Sequence, residues 1–172
     1  YKDTQGGIWI GTYFGGVNYY NPTDDHTSYY EANPDMPHAL SFPVVGKMQE
    51  DAEHNLWICT EGGGLNFLDR QTRQFTRYVH NKGGLSGIGH NNLKCIWLRK
   101  ETGQLYIGTH TGGLTIFDTR KKTAHTLKNS PDKANSLPSN VINDLQPYKG
   151  KLVLSTQAGI VAMNPETETF EP

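Results

Sequence analysis

One phrase recurs four times along the chain. "IWIGTYFGG" (residues 8–16) returns as "LWICTEGGG" (56–64) and "LYIGTHTGG" (105–113), and in a worn form as "LVLSTQAGI" (152–160). Aligning Trp9, Trp57, Tyr106 and Val153 gives spacings of 48, 49 and 47 residues. Self-similarity at this period belongs either to propeller blades or to helical arrays. An array of helices needs apolar residues at i, i+3, i+4 and i+7, and no such stripe is present. Each unit is instead a set of short β-rich runs broken by Gly, Asn, Asp or Pro turns.

Four strands can be placed in a unit. The first is "VVGKMQE" (44–50), "LKCIWLRK" (93–100) or "VINDLQPY" (141–148), and the recurring phrase supplies the second. The third is "VNYY", "LNFL", "LTIF" or "IVAM", and the fourth "TSYY", "QFTRYV", "AHTL" or "TFE". Short connections imply antiparallel neighbours. In "LWICT" both alternating faces are apolar, so the strand is covered on both sides, as it would be in a sheet stacked between two others. The predicted fold is all-β, with four-stranded antiparallel units at a period of about 48 residues: β-propeller blades. The expected units are residues 1–35 (a first blade with its inner strand mostly missing), 41–81, 90–131 and 138–172. Such a set is read as an incomplete propeller, a fragment of a larger protein.

The phrase divides into scaffold and variable parts. Gly-Gly after the threonine allows the positive φ that a tight hairpin demands. Asn or Asp opening each third-to-fourth turn ("NPTDD", "DRQT", "DTRK", "NPET") can accept from its own backbone. Asp3, Asp51 and Glu101 recur in the first-to-second turn, which reads as turn capping and not as a unique catalytic acid.

Composition narrows the partners. The 172 residues carry 16 basic and 17 acidic side chains, a formal net charge of −1, without a basic run longer than Arg120-Lys121-Lys122. Nucleic acid and anionic membrane are therefore not expected partners. No apolar stretch approaches a membrane span of roughly 18 residues. The seven histidines lack metal-ligand spacing and the two cysteines, Cys59 and Cys95, make no framework, so no metal or cofactor is expected. Cys59 occupies the slot held by Gly11, Gly108 and Ser155 in the other units, as a buried thiol would; pairing with Cys95 stays open.

The stretch "ED…NLWICTEGGGLNFLDRQTRQFTRY" (50–78) resembles the regulator-propeller repeat, with its D-x-x-G/N-x-L-W-I-G-T, G-G-L-N and D-x-x-T elements. "HALSFPVV" and "NSLPSNVI" resemble that family's inter-blade signature. The fourth unit departs, with Val153 for the aromatic, Ala158-Gly159 for Gly-Gly and "KGK" for the acidic turn. The resemblance implies the periplasmic sensor region of a hybrid two-component histidine kinase, which pairs seven-bladed propellers with membrane-spanning, kinase, receiver and DNA-binding parts, and it implies no enzyme activity in this segment.

In a propeller, second-to-third turns and inter-blade connections share one face. That face gathers the variable pairs Tyr13-Phe14, Glu61-Gly62, His110-Thr111 and Gln157-Ala158 with Phe42, His90, Asn91, Asn92 and Asn140. Aromatic faces, an acid and several amides suit an oligosaccharide. The alternative is a dimerisation or protein-interaction platform, for which Tyr19, Tyr20, Tyr29 and Tyr30 offer surface. A glycan-active enzyme lacks support: neither paired carboxylates nor an arginine triad is evident. Self-association is expected through open blade edges. Light scattering should then show a concentration-dependent dimer, whereas a strict monomer would mean that the units have closed or been capped.

Overall fold

The second strands are apolar on both faces, and the two central ones are covered on both sides by neighbouring sheets, while Ile8 and Ile10 of the first unit stay exposed. The computed structural model describes residues 1–80 and 87–171. Residues 81–86, in the connection after the second unit, and Pro172 lie outside the described residues.

The first sheet has three strands in the order β1 (Ile8–Gly11), β2 (Val17–Asn21) and β3 (His26–Tyr30). Lys2 bridges to Ile8 beside it, a stub of a fourth strand. The second sheet is β4 (Val45–Glu50), β5 (Leu56–Thr60), β6 (Leu65–Asp69) and β7 (Gln74–Tyr78). The third is β8 (Leu93–Arg99), β9 (Gln104–Thr109), β10 (Leu114–Asp118) and β11 (Thr123–Leu127). The fourth is β12 (Ile142–Tyr148), β13 (Lys151–Thr156), β14 (Gly159–Asn164) and β15 (Thr169–Glu171). All pairings are antiparallel between sequential strands. The inner strand β8 lies between β4 and β12. These are propeller-like blades, as the repeat implied.

Each pair of sheets shares one apolar core. Trp9, Val17 and Leu40 meet Met48, Leu56, Ile58, Leu68 and Phe75 at the first junction. Trp57, Cys59 and Leu65 meet Leu93, Ile96, Leu98 and Phe117 at the second. Cys95, Tyr106 and Leu114 meet Ile142, Leu145, Leu154 and Met163 at the third. Strand β5 is buried along its whole length, and the aligned Trp9, Trp57 and Tyr106 are each essentially inaccessible.

The turns follow their side chains. Asn21, Asp69, Asp118 and Asn164 each accept a backbone N–H two residues on. The amides three residues on, Thr72 and Lys121, together with these donors hold the Asp69 and Asp118 carboxyls below the ordinary carboxylate range. Asp3 and Asp51 cap the first-to-second turns of their units. Glu101 does not. That turn is one residue shorter, it closes on the Arg99 carbonyl through Thr102 and Gly103, and Glu101 stays exposed.

A cation from the outer hairpin of the second sheet, and another from that of the third, reaches back over the preceding sheet. Arg70 lies 5.2 Å from the Trp9 ring and 5.6 Å from Tyr19. Lys122 lies 4.8 Å from Trp57 and 5.2 Å from Phe67. Such contacts contribute about 0.5–2 kcal/mol each. At the third junction the polarity is reversed, because Glu166 of the outer hairpin pairs with Arg99.

The first junction holds a buried charge network as well. The Arg70 Nη1 atom lies 3.0 Å from Asp3 Oδ2 and 3.7 Å from Glu50 Oε1, and both carboxylates are shielded from solvent. Asp3 also accepts the Trp9 indole N–H at 2.8 Å. Glu50 accepts the Thr4 amide and hydroxyl and lies 3.0 Å from His54 Nδ1. Burial alone would raise the Glu50 pKa, but these hydrogen bonds outweigh it and hold the group below its ordinary value of 4.5. A depressed carboxylate contributes stability above its unfolded pKa and loses it as pH falls through the folded value. Arg70→Ala strands two buried carboxylates, so denaturant titration is expected to show a loss of about 3–5 kcal/mol. In Glu50→Gln the decline of stability through the acid range should be shallower than in the parent. Unchanged denaturation midpoints in both variants would show that the network does not hold the junction.

Candidate functional site

The upper face is built from one repeated clamp. Thr12, Thr60, Thr109 and Thr156 each donate a hydroxyl to the carbonyl of a glycine across the turn (Gly16, Gly64, Gly113 and Gly159) and accept an amide from inside it. The two glycines of each pair do different work. The second has positive φ, +75° at Gly64 for example. The first, at 63 and 112, is small so that a connection can lie on it: a Cβ on Gly63 would fall 2.2 Å from Ser41 Oγ and 2.6 Å from Phe42 Cβ. Gly112 takes His90 in the same way.

Backbone bonds lock the connections to the turns. Gly16, Gly64 and Gly113 donate to the carbonyls of Pro43, Asn91 and Asn140, and Glu61, His110 and Gln157 donate to those of Val44, Asn92 and Val141. Phe42 and His90 are thereby structural equivalents, as are Leu40, Ile88 and Leu137, which are buried beneath them. The Asn91 and Asn140 side chains fasten the two ends of a connection, accepting from the His80 and Asn129 amides.

Several expected site residues come together. The Phe42 ring lies over Gly62, where a Cβ would meet it at 2.9 Å. Glu61 bridges to Asn92 and pairs at 3.0 Å with Lys94, in β8. The Asn92 Oδ1 atom is buried without a hydrogen-bond partner among the described residues. His110 and Thr111 are exposed, and the His110 amide donates to the Asn92 carbonyl. Tyr13 and Phe14 stand apart over the first sheet, 69% and 75% exposed, with rings edge to face at 4.7 Å. Gln157 is exposed on the fourth turn.

Sequence reading missed the contribution of the inner strands. Their pairing slips at the same place in all three sheets, between Val45 and Met48, Leu93 and Cys95, and Ile142 and Asp144. A bulge re-aims the side chains at it. Lys94 turns to Glu61, and Lys47 reaches Asp144 at 2.5 Å, joining the second sheet to the fourth past the third. The only available signal was a polar residue in an apolar strand. Arg77 was also silent in sequence. It donates to five carbonyls between Asn33 and Leu40, ordering the connection that presents Phe42.

No protein-family model and no curated protein matches the chain. Among solved structures it is similar to the extracellular domain of the hybrid two-component system BT3049 of B. thetaiotaomicron, with 28% identity over 99% of this chain and a TM-score of 0.78. The extracellular domain of the hybrid two-component system BT4673 from the same organism gives 27% identity, 99% coverage and a TM-score of 0.76. The structures it is similar to are thus extracellular domains of two-component systems, as the repeat resemblance implied. It spans 22% and 24% of those two structures. PorZ of Porphyromonas gingivalis, at 14% identity and a TM-score of 0.69, shares the fold alone.

Within the propeller-like blades, both cysteines are free and buried. Burial pushes the Cys95 thiol up to about 12 and the Cys59 thiol well above its ordinary value, with the neighbouring sulfur adding to the effect at Cys59. Cys59 fills the small-residue slot against the third sheet, its thiol 3.9 Å from the Cys95 carbonyl. Among the described residues no three His, Cys, Asp or Glu side chains cluster to hold a metal ion. Because the thiolate is the reactive form, a disulfide-exchange reagent at pH 8 is expected to label neither cysteine in the native protein and both after denaturation. Rapid native labelling would contradict the packing of the second junction.

Proposed function

We propose that this segment is part of the periplasmic sensor region of a hybrid two-component system, that its upper face helps recognise an oligosaccharide, and that binding there controls the attached kinase. The observation that supports the ligand reading is the patch formed by Phe42, Glu61, Asn92 and Lys94, with His90 and His110 beside it. An aromatic ring offers stacking to sugar C–H faces, the ion pair offers a donor and an acceptor, and Asn92 offers an unused buried acceptor. The similar proteins are extracellular domains of two-component systems, which supports a sensing role outside the cytoplasm. Among the described residues no helix is long and apolar enough to cross a membrane.

Signalling would proceed by population shift. A ligand that binds one arrangement of paired sensor domains about a hundredfold better than the other supplies about 2.7 kcal/mol of bias.

Exposed Tyr13 and Phe14 favour a second reading, in which the face is a receptor–receptor contact. The two readings separate in the full-length receptor. Phe42→Ala and Lys94→Ala are expected to abolish the response to a glycan digest while leaving dimerisation intact. Loss of dimerisation in Tyr13→Ala/Phe14→Ala, with full response in the Phe42 and Lys94 variants, would make the face a platform and not a ligand site.

A further inference from the structure

Away from the upper face, the inner strands bound a groove of about 400 Å³, within the roughly 300–1,000 Å³ typical of small-molecule pockets. Three of its lining residues occupy one register. Gln49 in β4 is paired with Trp57, Trp97 in β8 with Tyr106, and Gln146 in β12 with Val153, the aligned positions of the repeat. A half-buried indole is thus flanked by two carboxamides on adjacent sheets. Among the described residues none of these three side chains makes a hydrogen bond to another group. The indole is backed by Tyr106, the two rings stacked at 5.3 Å and 29°. Met48, Leu145 and Pro147 complete an apolar wall.

The lining restricts what can bind. Lys47 is the one charged side chain among the described lining residues, and Asp144 already neutralises it. An anion would have to displace that partner. A purely apolar ligand would leave both carboxamides desolvated and unpaired, at about 1–3 kcal/mol each. The chemistry that satisfies indole and amides together is a neutral ring with C–H groups on its face and hydroxyls on its edge.

We propose that this groove, framed by Gln49, Trp97 and Gln146, binds one ring of a neutral polyhydroxylated ligand such as a sugar. The site is independent of the upper-face patch, and either can fail without the other.

Trp97 is the only partly exposed one of the three indoles, so its emission reports occupancy. The chain is titrated with D-glucose, D-galactose, D-mannose and L-arabinose, and with sodium glucuronate as the charged comparison. At least one neutral sugar is expected to give a saturable change, weakened about tenfold in Gln146→Ala and in Gln49→Ala. Tyr13→Ala/Phe14→Ala should leave it unchanged. Gln146 is solvent-exposed, so that variant tests the site even if Gln49→Ala fails to fold, and thermal melting checks both. Absence of a saturable change with all four sugars overturns the proposal. So does binding indifferent to both glutamines, or binding that follows Tyr13 and Phe14, or a preference for glucuronate.

Discussion

The stacking in this structure follows from the absence of a solvent face on the second strands of the two central sheets, β5 and β9. Leu56, Trp57, Ile58 and Cys59 are all buried, and a lone sheet has only one partner to offer such a strand. Neighbouring sheets supply the other cover, so the stable entity is the stack. The first two junctions share one form of complementarity: an indole against the next inner strand, a small residue where backbones come close, and a cation over the ring. Trp9 with Arg70 and Trp57 with Lys122 show the device repeated. Its inverted form at Arg99 and Glu166 sits at the third junction, where the aligned aromatic is Tyr106.

The same constraint positions the upper face. Because sheets stack side by side, the chain must cross from outer to inner strand over the second-to-third turns. The crossing lies directly on a glycine, and its carbonyls accept amides of the turn. Residues that the sequence separates by 20 or 33 positions, such as Phe42 and Gly62 or Glu61 and Lys94, become neighbours. The scaffold therefore leaves a residue after each threonine, and one in each connection, free to vary without harm to the fold. Variable side chains on a rigid frame are how loops acquire binding roles.

Much of the fold was legible. The strand runs, their antiparallel order and the Asx turns were all readable, and the inner strands begin within a residue of where the pattern put them, at Val45, Leu93 and Ile142. Two local readings needed revision. The Gly-Gly pair combines one glycine for φ with one for close approach, which look identical in sequence. Glu101 lost its capping role because its turn is a residue shorter. The left-handed residue before each outer strand, Asp25, Arg73, Lys122 and Glu168, had no signal at all, since none is glycine.

The upper-face residues were half legible: their face could be inferred from topology, but not their company. Asn91 and Asn140 turned out to fasten connections, while Lys47, Lys94 and Asp144 joined the inner rim through bulges. The sequence by itself determined the period, the hairpins and the burial of the two central second strands, because these depend on backbone preferences and alternation over a few residues. Only the tertiary structure decided that Arg70 closes on Asp3 and Glu50, or that Lys47 meets Asp144 across 97 residues. Those contacts depend on how far each sheet is rotated from the last, and no local rule of chain conformation contains that angle.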